Sequence, residues 1–238
     1  CETYKKISRN VFMKILCTIC FKKKSYGLKN KNFLKLFNKP LYKYTYDIAK
    51  KVNEFENIIL LSDGKIDLKN LSKNTLVGDR PKKMSGKFTP KIDVILYAMK
   101  IAEKIKKIKY DVIVDLDVTS PLRNLSDIKN CIKIFKEKKP LNLITVNISK
   151  KNPYFNMVEK KGNTYKLVKK TIVYSARQKT PKVYDMNASI YIWERNTLYK
   201  KKIFTKKTEI YEMPFNRSID IDTKNDLYIS KLIMKKNV

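Results

Sequence analysis

Apolar runs of strand length alternate along the chain with stretches whose apolar residues recur at helical spacing. Residues 14–20 (KILCTIC) form the first run. A polar loop from Lys22 to Asn32 follows. Pro40 then opens a helical pattern to about Val52, with Leu41, Tyr44, Ile48 and Val52 near helical spacing. Residues 57–62 (NIILLS) predict a second strand, closed by the turn pair Asp63-Gly64. Ile92 through Ile108 predicts a long helix, 111–116 (DVIVDL) a third strand, Asp127 to Lys138 a helix, and 142–148 (NLITVNI) a fourth strand. The pattern loosens from 149 to 186. Strands are predicted again at 188–194 (ASIYIWE) and 209–213 (EIYEM), and a closing helix at 223–234.

Strands alternating with helices of this length predict right-handed βαβ units, hence an α/β fold with a mostly parallel sheet flanked by helices. Ligands of such sheets bind at the carboxyl ends of strands, where the strand order reverses. The polar motifs fall after the first strand, after the third, and in loops near the C-terminus. A single domain is expected over 13–238, with 150–186 as an inserted arm or subdomain. Met13 reads as a natural start, so 1–12 reads as an N-terminal extension. Lys14 interrupts the early apolar stretch and no small-residue cleavage site follows, so a strand is preferred to a signal peptide. No run approaches the roughly 18 apolar residues of a membrane span, and no membrane partner is expected.

Charge changes this picture less than its size suggests. The formal net charge is +32, which favours a nucleic-acid binder on its face. Only six of the 54 basic residues are Arg, however, and Lys is spread along the whole chain. Dedicated nucleic-acid sites lean on Arg for bidentate and stacking contacts. The charge therefore reads as compositional, with no specific nucleic acid expected; a polyanion- or RNA-binding role stays as the alternative. The absence of His excludes Ser-His-Asp and Cys-His chemistry and His-ligated zinc. Cys17 and Cys20 form a CxxC inside a predicted strand. Residues three apart there point to opposite faces, so neither redox nor zinc chemistry is expected.

Four constellations carry candidate chemistry. Lys22, Lys23, Lys24, Ser25, Gly27, Lys29, Lys31 and Asn32 make a lysine-dense loop after the first strand, which suits a phosphate cradle or simply a solvated face. It matches neither GxxxxGK[ST] nor GxGxxG. Asp115 to Arg123 (DLDVTSPLR) gathers carboxylates, hydroxyls and a guanidinium after a buried strand; a ligand site and a helix cap at Ser126 fit it equally. Asp220 and Asp222 lie two apart in an extended segment, so both can face one side and offer a hard cation oxygen ligands; a cap for the last helix by Asp222 or Thr223 is the other reading. Arg177 and Gln178, with Asn187 beyond, present a fork for a carboxylate or a plain surface Arg.

In this order, the segments Ser25-x-Gly27 with Lys31-Asn32, Asn38-Lys39-Pro40-Leu41, Arg80-Pro81, Thr119-Ser120-Pro121-Leu122-Arg123, Arg177-Gln178 with Asn187 and Ile190-Tyr191, and Ser218-Ile219-Asp220-Ile221-Asp222-Thr223 resemble the acylneuraminate cytidylyltransferase family. The run 183–191 is closer to bacterial branches that handle legionaminic- or pseudaminic-type sugars. The resemblance spans about Lys14 to Leu232. It implies a Rossmann-like nucleotidyltransferase fold, a homodimer joined by the 150–186 arm, a cytoplasmic location, and transfer of CMP from CTP to the anomeric hydroxyl of a nonulosonic acid. It implies Lys31 and Asp222 as catalytic residues, and Asp220 with Asp222 as ligands of Mg2+. Lys22, Ser25, Asn32 and Arg80 would bind the nucleotide. Asp117, Ser120, Arg177, Gln178, Asn187, Tyr191 and Phe204 would shape the sugar site. The chain departs from the family pattern at Lys22, Lys23, Lys24, Tyr26, Lys87, Lys91 and Asp117. A catalytically degenerate homologue and a related enzyme acting on 3-deoxy-octulosonate remain as alternatives.

Overall fold

The computed structural model describes residues 13–25, 27–169 and 176–236; the first twelve residues, read above as an extension, and Tyr26 lie outside it. In chain order β1 (Ile15–Phe21) leads through a 3-10 turn at Lys31–Phe33 and a small hairpin, β2 (Lys35–Leu36) with β3 (Lys39–Pro40), into α1 (Leu41–Ala49). Next come β4 (Phe55–Ser62), β5 (Thr75–Asp79), α2 (Lys91–Lys106), β6 (Val112–Leu116), α3 (Leu125–Lys138) and β7 (Asn142–Ile148). The hairpin β8 (Val158–Lys161) and β9 (Thr164–Leu167) precedes β10 (Tyr184–Glu194), α4 (Arg195–Tyr199), β11 (Thr208–Glu212) and α5 (Lys224–Lys236).

The central sheet runs β11-β7-β10-β6-β1-β4-β5. Strand β10 is antiparallel to β6 and β7, and the other pairings are parallel. The chain lays β4 and β5 on one side of β1, then returns to lay β6 on the other. A crevice therefore opens beyond the carboxyl ends of β1 and β6, the reversal point expected for a ligand.

The pleat of β1 explains why helices cover both faces. Ile15, Cys17, Ile19 and Phe21 pack with residues of α1 and α3, whereas Leu16 packs with α2 on the opposite face. Cys17 and Cys20 divide between these layers, as their spacing predicts. Burial pushes the thiols of Cys17, Cys20 and Cys131 up, which suits structural rather than nucleophilic cysteines. No described helix is long and apolar enough to cross a membrane.

Three features differ from the sequence reading. Strand β5 was not predicted; it is an edge strand of half-exposed residues, so it lacks a continuous apolar run. Within 150–186 lies a regular two-stranded ribbon turned at Gly162 (φ +62), but neither face is buried and no alternation marks it. Helix α3 begins earlier than expected. Its cap is Asn124, whose side chain accepts from the Asp127 amide while Asp127 accepts from the Asn124 amide. Ser126 lies inside the helix and does not cap it. At α5, by contrast, Thr223 and Asp226 exchange cap bonds, which is the helix-cap reading of that segment.

The turn after β6 is held by Arg123, which is 1% exposed. Its Nη1 donates to the Ser189 carbonyl at 2.6 Å, and its Nη2 to Thr45 Oγ1 at 2.8 Å and the Asp117 carbonyl at 3.0 Å. One side chain thereby ties the post-β6 turn to α1 and β10. Burial lowers its pKa to about 10, so it stays charged at neutral pH. Arg123→Ala strands several buried acceptors at once and is expected to cost roughly 3 kcal/mol or more. A urea titration checks this, with Arg123→Lys recovering only part of the loss.

Candidate functional site

The crevice forms a cleft of about 250 Å³ that brings together Lys22, Lys31, Asn32 and Arg80 with Lys91, Asp117, Thr119 and Asp220. A larger hollow of about 640 Å³ lies on the other side of Thr89, lined by Phe88, Tyr97 and several lysines. It gathers a single carboxylate, Asp93, and none of the sequence motifs. Convergence of opposite charges at strand ends places the chemistry in the smaller cleft.

The lysine-rich loop is shaped by its own polar groups. Ser25 Oγ accepts from the Lys31 amide at 3.0 Å, and Asn32 Nδ2 donates to the Lys22 carbonyl at 2.8 Å. Ser25 thus folds the loop rather than lining the cleft, while Asn32 does both. Lys22 reaches the Gly86 carbonyl. Arg80 donates through Nε and Nη2 to the Met84 carbonyl. Burial lowers the pKa of both cations. Cations drawn partly out of water in this way favour an incoming anion.

The carboxylate segment closes over this loop. A Cβ on Gly27 would come within 2.9 Å of the Asp222 carbonyl oxygen, so only glycine permits that approach. Ile221 donates its amide to the Thr119 carbonyl, and Lys31 pairs with Asp222 at 2.5 Å. Arg217 grips the buried Asp127 of α3 through Nε and Nη2, which anchors the preceding turn.

Asp220 is the strained member. Its Oδ1 is buried without a hydrogen-bond partner among the described residues. Burial first, then the charges of Asp117 and Asp222, push its pKa up to about 6. Asp222 is largely exposed. An orphaned carboxylate oxygen beside an exposed carboxylate fits a hard cation that takes its other oxygens from a ligand. No trio of His, Cys, Asp or Glu side chains among the described residues is arranged to hold a metal unaided.

The other predicted residues divide. Asp117 is in the cleft, its Oδ1 accepting from the Thr119 amide and hydroxyl. Tyr191 stacks on Trp193 beneath the Lys91 ammonium. Asn187 is buried and shares its amide among Thr145, Ser189, Ser218 and Met213, so it braces β10 instead of facing the cleft. Ser120 is fully buried outside the cleft. Arg177 is exposed and donates to the Ser149 carbonyl; Gln178 is exposed beside it. Phe204 is exposed and lines a separate hollow with Tyr184 and Met186. Sequence reading did not place Lys91 in the site. The available signal was a lysine at the first position of a helix, against the helix dipole.

The cytidylyltransferase family profile matches residues 22–234. The chain belongs to the cytidylyltransferase family. As such it is a nucleotidyltransferase, and the chain is 35% identical over 230 residues to the CMP-N,N'-diacetyllegionaminic acid synthase of Campylobacter jejuni, covering 94% of this chain and 97% of that protein. It is 34% identical over 226 residues to the post-translational flagellin modification protein B of Campylobacter coli, covering 93% and 95%. The fold is shared with a CMP:2-keto-3-deoxy-manno-octonic acid synthetase solved with CTP, at TM-score 0.63 and 13% identity over 94% of this chain and all of that one. It is also shared with the 2-C-methyl-D-erythritol 4-phosphate cytidylyltransferase of Francisella tularensis, at TM-score 0.64 and 15% identity over 92% and 99%.

Because the fold raises the pKa of Asp220 to about 6, its neutral form is favoured in the native state. Ionisation then costs stability, increasingly from about pH 4 to 6 and constantly above. Asp220→Asn is therefore expected to raise Tm at pH 8 in chelator, with little gain at pH 4.5. Thermal melts at the two pH values check this.

Proposed function

We propose that this cytidylyltransferase activates a nonulosonic, sialic-acid-like sugar with CTP. The observation that carries the reading is the pairing of Lys22, Lys31 and Arg80 with Asp220 and Asp222 around one cleft, in a chain similar over nearly its whole length to a CMP-legionaminic acid synthase. The anomeric hydroxyl oxygen of the sugar bonds to the α-phosphorus, the bond from that phosphorus to the β-phosphate bridging oxygen breaks, and pyrophosphate leaves. The hydroxyl proton is lost in the same transfer. Such chemistry needs positioning and charge neutralisation rather than a covalent intermediate.

Lys22 and Arg80 would grip the phosphates, with Asn32 holding the loop against the nucleotide. Lys31 would stabilise charge gathering at the α-phosphate. Its present partner Asp222 is exposed, so the pair can open when a phosphate arrives. Asp220 and Asp222 would hold Mg2+, which when bound neutralises triphosphate charge. Asp117 and Tyr191 would face the sugar. Asn187 acts from behind, by fixing the strand that carries Tyr191, and Ser120 is buried behind the turn that carries Asp117. Arg177, Gln178 and Phe204 lie apart from the cleft in this chain. They would contribute from the region of the 150–186 arm, where a second copy can bring them close to a site. The exposed Val158 and Tyr165 of the β8–β9 ribbon support a homodimer. Consumption of CTP favours a cytoplasmic location.

Pyrophosphate release from CTP and Mg2+ is expected with a legionaminic-type acid, tested beside sialic acid, pseudaminic acid and 3-deoxy-octulosonate. Release only with octulosonate would move the substrate class, and CTP-independent release would overturn the reading. Asp222→Asn is expected to lower turnover by roughly a hundredfold or more while leaving the circular dichroism unchanged. Sedimentation at twice the chain mass is expected, with a monomer denying the shared arm.

A further inference from the structure

Lys91 is the least expected charge in the cleft. It is the first residue of α2, where the helix dipole disfavours a cation. Two carboxylates reverse that preference: its Nζ donates to Asp117 Oδ2 at 2.5 Å and lies 2.9 Å from Asp115 Oδ2. The two partners differ in access. Asp115 is 1% exposed and backs the pair from the core, its other oxygen held by Thr18 Oγ1 at 2.7 Å. The Lys91 and Asp117 side chains are 36% and 21% exposed, and both line the cleft. An ammonium carries three N–H groups, so one remains after each carboxylate has taken one. The Tyr191 ring, 5.2 Å from Nζ to its centroid, is a weaker partner for it than an oxygen would be. Asp117 Oδ1 is filled by the Thr119 amide and hydroxyl. Its Oδ2 accepts only from Lys91 among the described residues and keeps a lone pair.

A spare donor and a spare acceptor thus stand side by side in the cleft, on atoms 2.5 Å apart. A hydroxyl matches both, since it accepts from the ammonium and donates to the carboxylate. A ligand carboxylate is disfavoured there by Asp115 and Asp117, and a ligand cation by Lys91. We propose that Lys91 and Asp117 form one subsite for a neutral hydroxyl of a polyhydroxylated acceptor, with Lys91 as a specificity-determining residue. Both groups are held in place before any ligand arrives, Asp117 by Thr119 and Lys91 by Asp115. An analogue that lacks the hydroxyl leaves a charged donor and a charged acceptor unanswered, which is how such a subsite rejects it. The inference rests on the sugar-activating reading proposed above, but its test measures binding and needs no turnover.

The experiment is a calorimetric titration of the full chain, saturated with CMP so that no transfer occurs, with legionaminic, sialic and pseudaminic acids and 3-deoxy-octulosonate. Wild type is expected to bind at least one of them. Lys91→Met is expected to bind that acid about tenfold or more weakly, while its affinity for CTP stays within about twofold of wild type. A general loosening of the cleft would not give that split. Pyruvate, which carries the keto-acid group without the hydroxyls, is expected to compete equally in both proteins. Should Lys91→Met fail to fold because Asp115 is left buried and unpaired, Lys91→Met combined with Asp115→Asn removes that charge and is expected to show the same split. Equal sugar affinity in wild type and Lys91→Met overturns the proposal. So does a wild type that binds none of the acids, a parallel loss of CTP affinity, pyruvate competition that depends on Lys91, or failure of both variants to fold. Sugar binding that depends on Lys91 in a protein that releases no pyrophosphate keeps this inference and denies the reaction. Turnover with a sugar KM that Lys91→Met leaves unchanged does the reverse.

Discussion

A guanidinium is taken out of water at a cost that only a well-placed set of acceptors offsets, and the whole cleft is arranged around one. Arg123 finds its acceptors on three separate pieces of chain: the Asp117 carbonyl after β6, the Thr45 hydroxyl of α1 and the Ser189 carbonyl of β10. The planar fork suits it to this, since an ammonium could not reach acceptors so divided. Because the Asp117 carbonyl is one of them, the carboxylate of the same residue is fixed in the cleft. Thr119 follows, and through its carbonyl the 218–223 segment is fixed in turn. A residue that reads in the sequence as a possible ligand is the brace on which the ligands depend.

The electrostatics built on this frame are balanced rather than simply basic. Around the cleft, Lys22, Lys31, Arg80 and Lys91 face Asp115, Asp117, Asp220 and Asp222. Burial opposes ionisation of Asp117, but the Lys91 ammonium and the Thr119 bonds outweigh it and hold it well below the usual carboxylate range. Asp220 also has a Thr119 bond but forms no ion pair among the described residues, so burial and the charges of Asp117 and Asp222 prevail and raise it. Two aspartates in one cleft thus have opposite tendencies, and the difference comes from a lysine. The net charge of +32, prominent as it is, bears on this local balance hardly at all.

Much of the fold was legible because β1, β4, β6 and β7 are buried on both faces and write uninterrupted apolar runs, while α2 and α3 write helical ones. What escaped has in common that burial does not mark it. The edge strand β5 and the β8–β9 ribbon bury too little to leave a pattern. The site was legible as motifs, since Lys31, Asn32, Asp117 and Asp220 meet where strand order reverses. Roles within motifs were less so. Ser25 and Asn187 are polar because backbone and side-chain partners need them, which a sequence writes with the same letters as a binding residue. Lys91 was hidden among forty-odd surface lysines whose composition masks the one that is placed.

The approach of Gly27 to the Asp222 carbonyl carries a mechanical consequence. The loop expected to hold the phosphates and the segment that carries the acidic pair touch with no more than a missing methyl between them, so they form a single jaw. Neither can press closer to the other. Room for a polyphosphate between them therefore comes from side chains parting, as Lys31 from Asp222, and not from a nearer approach of the two backbones. The clearance at one glycine sets how closely the jaw is shut.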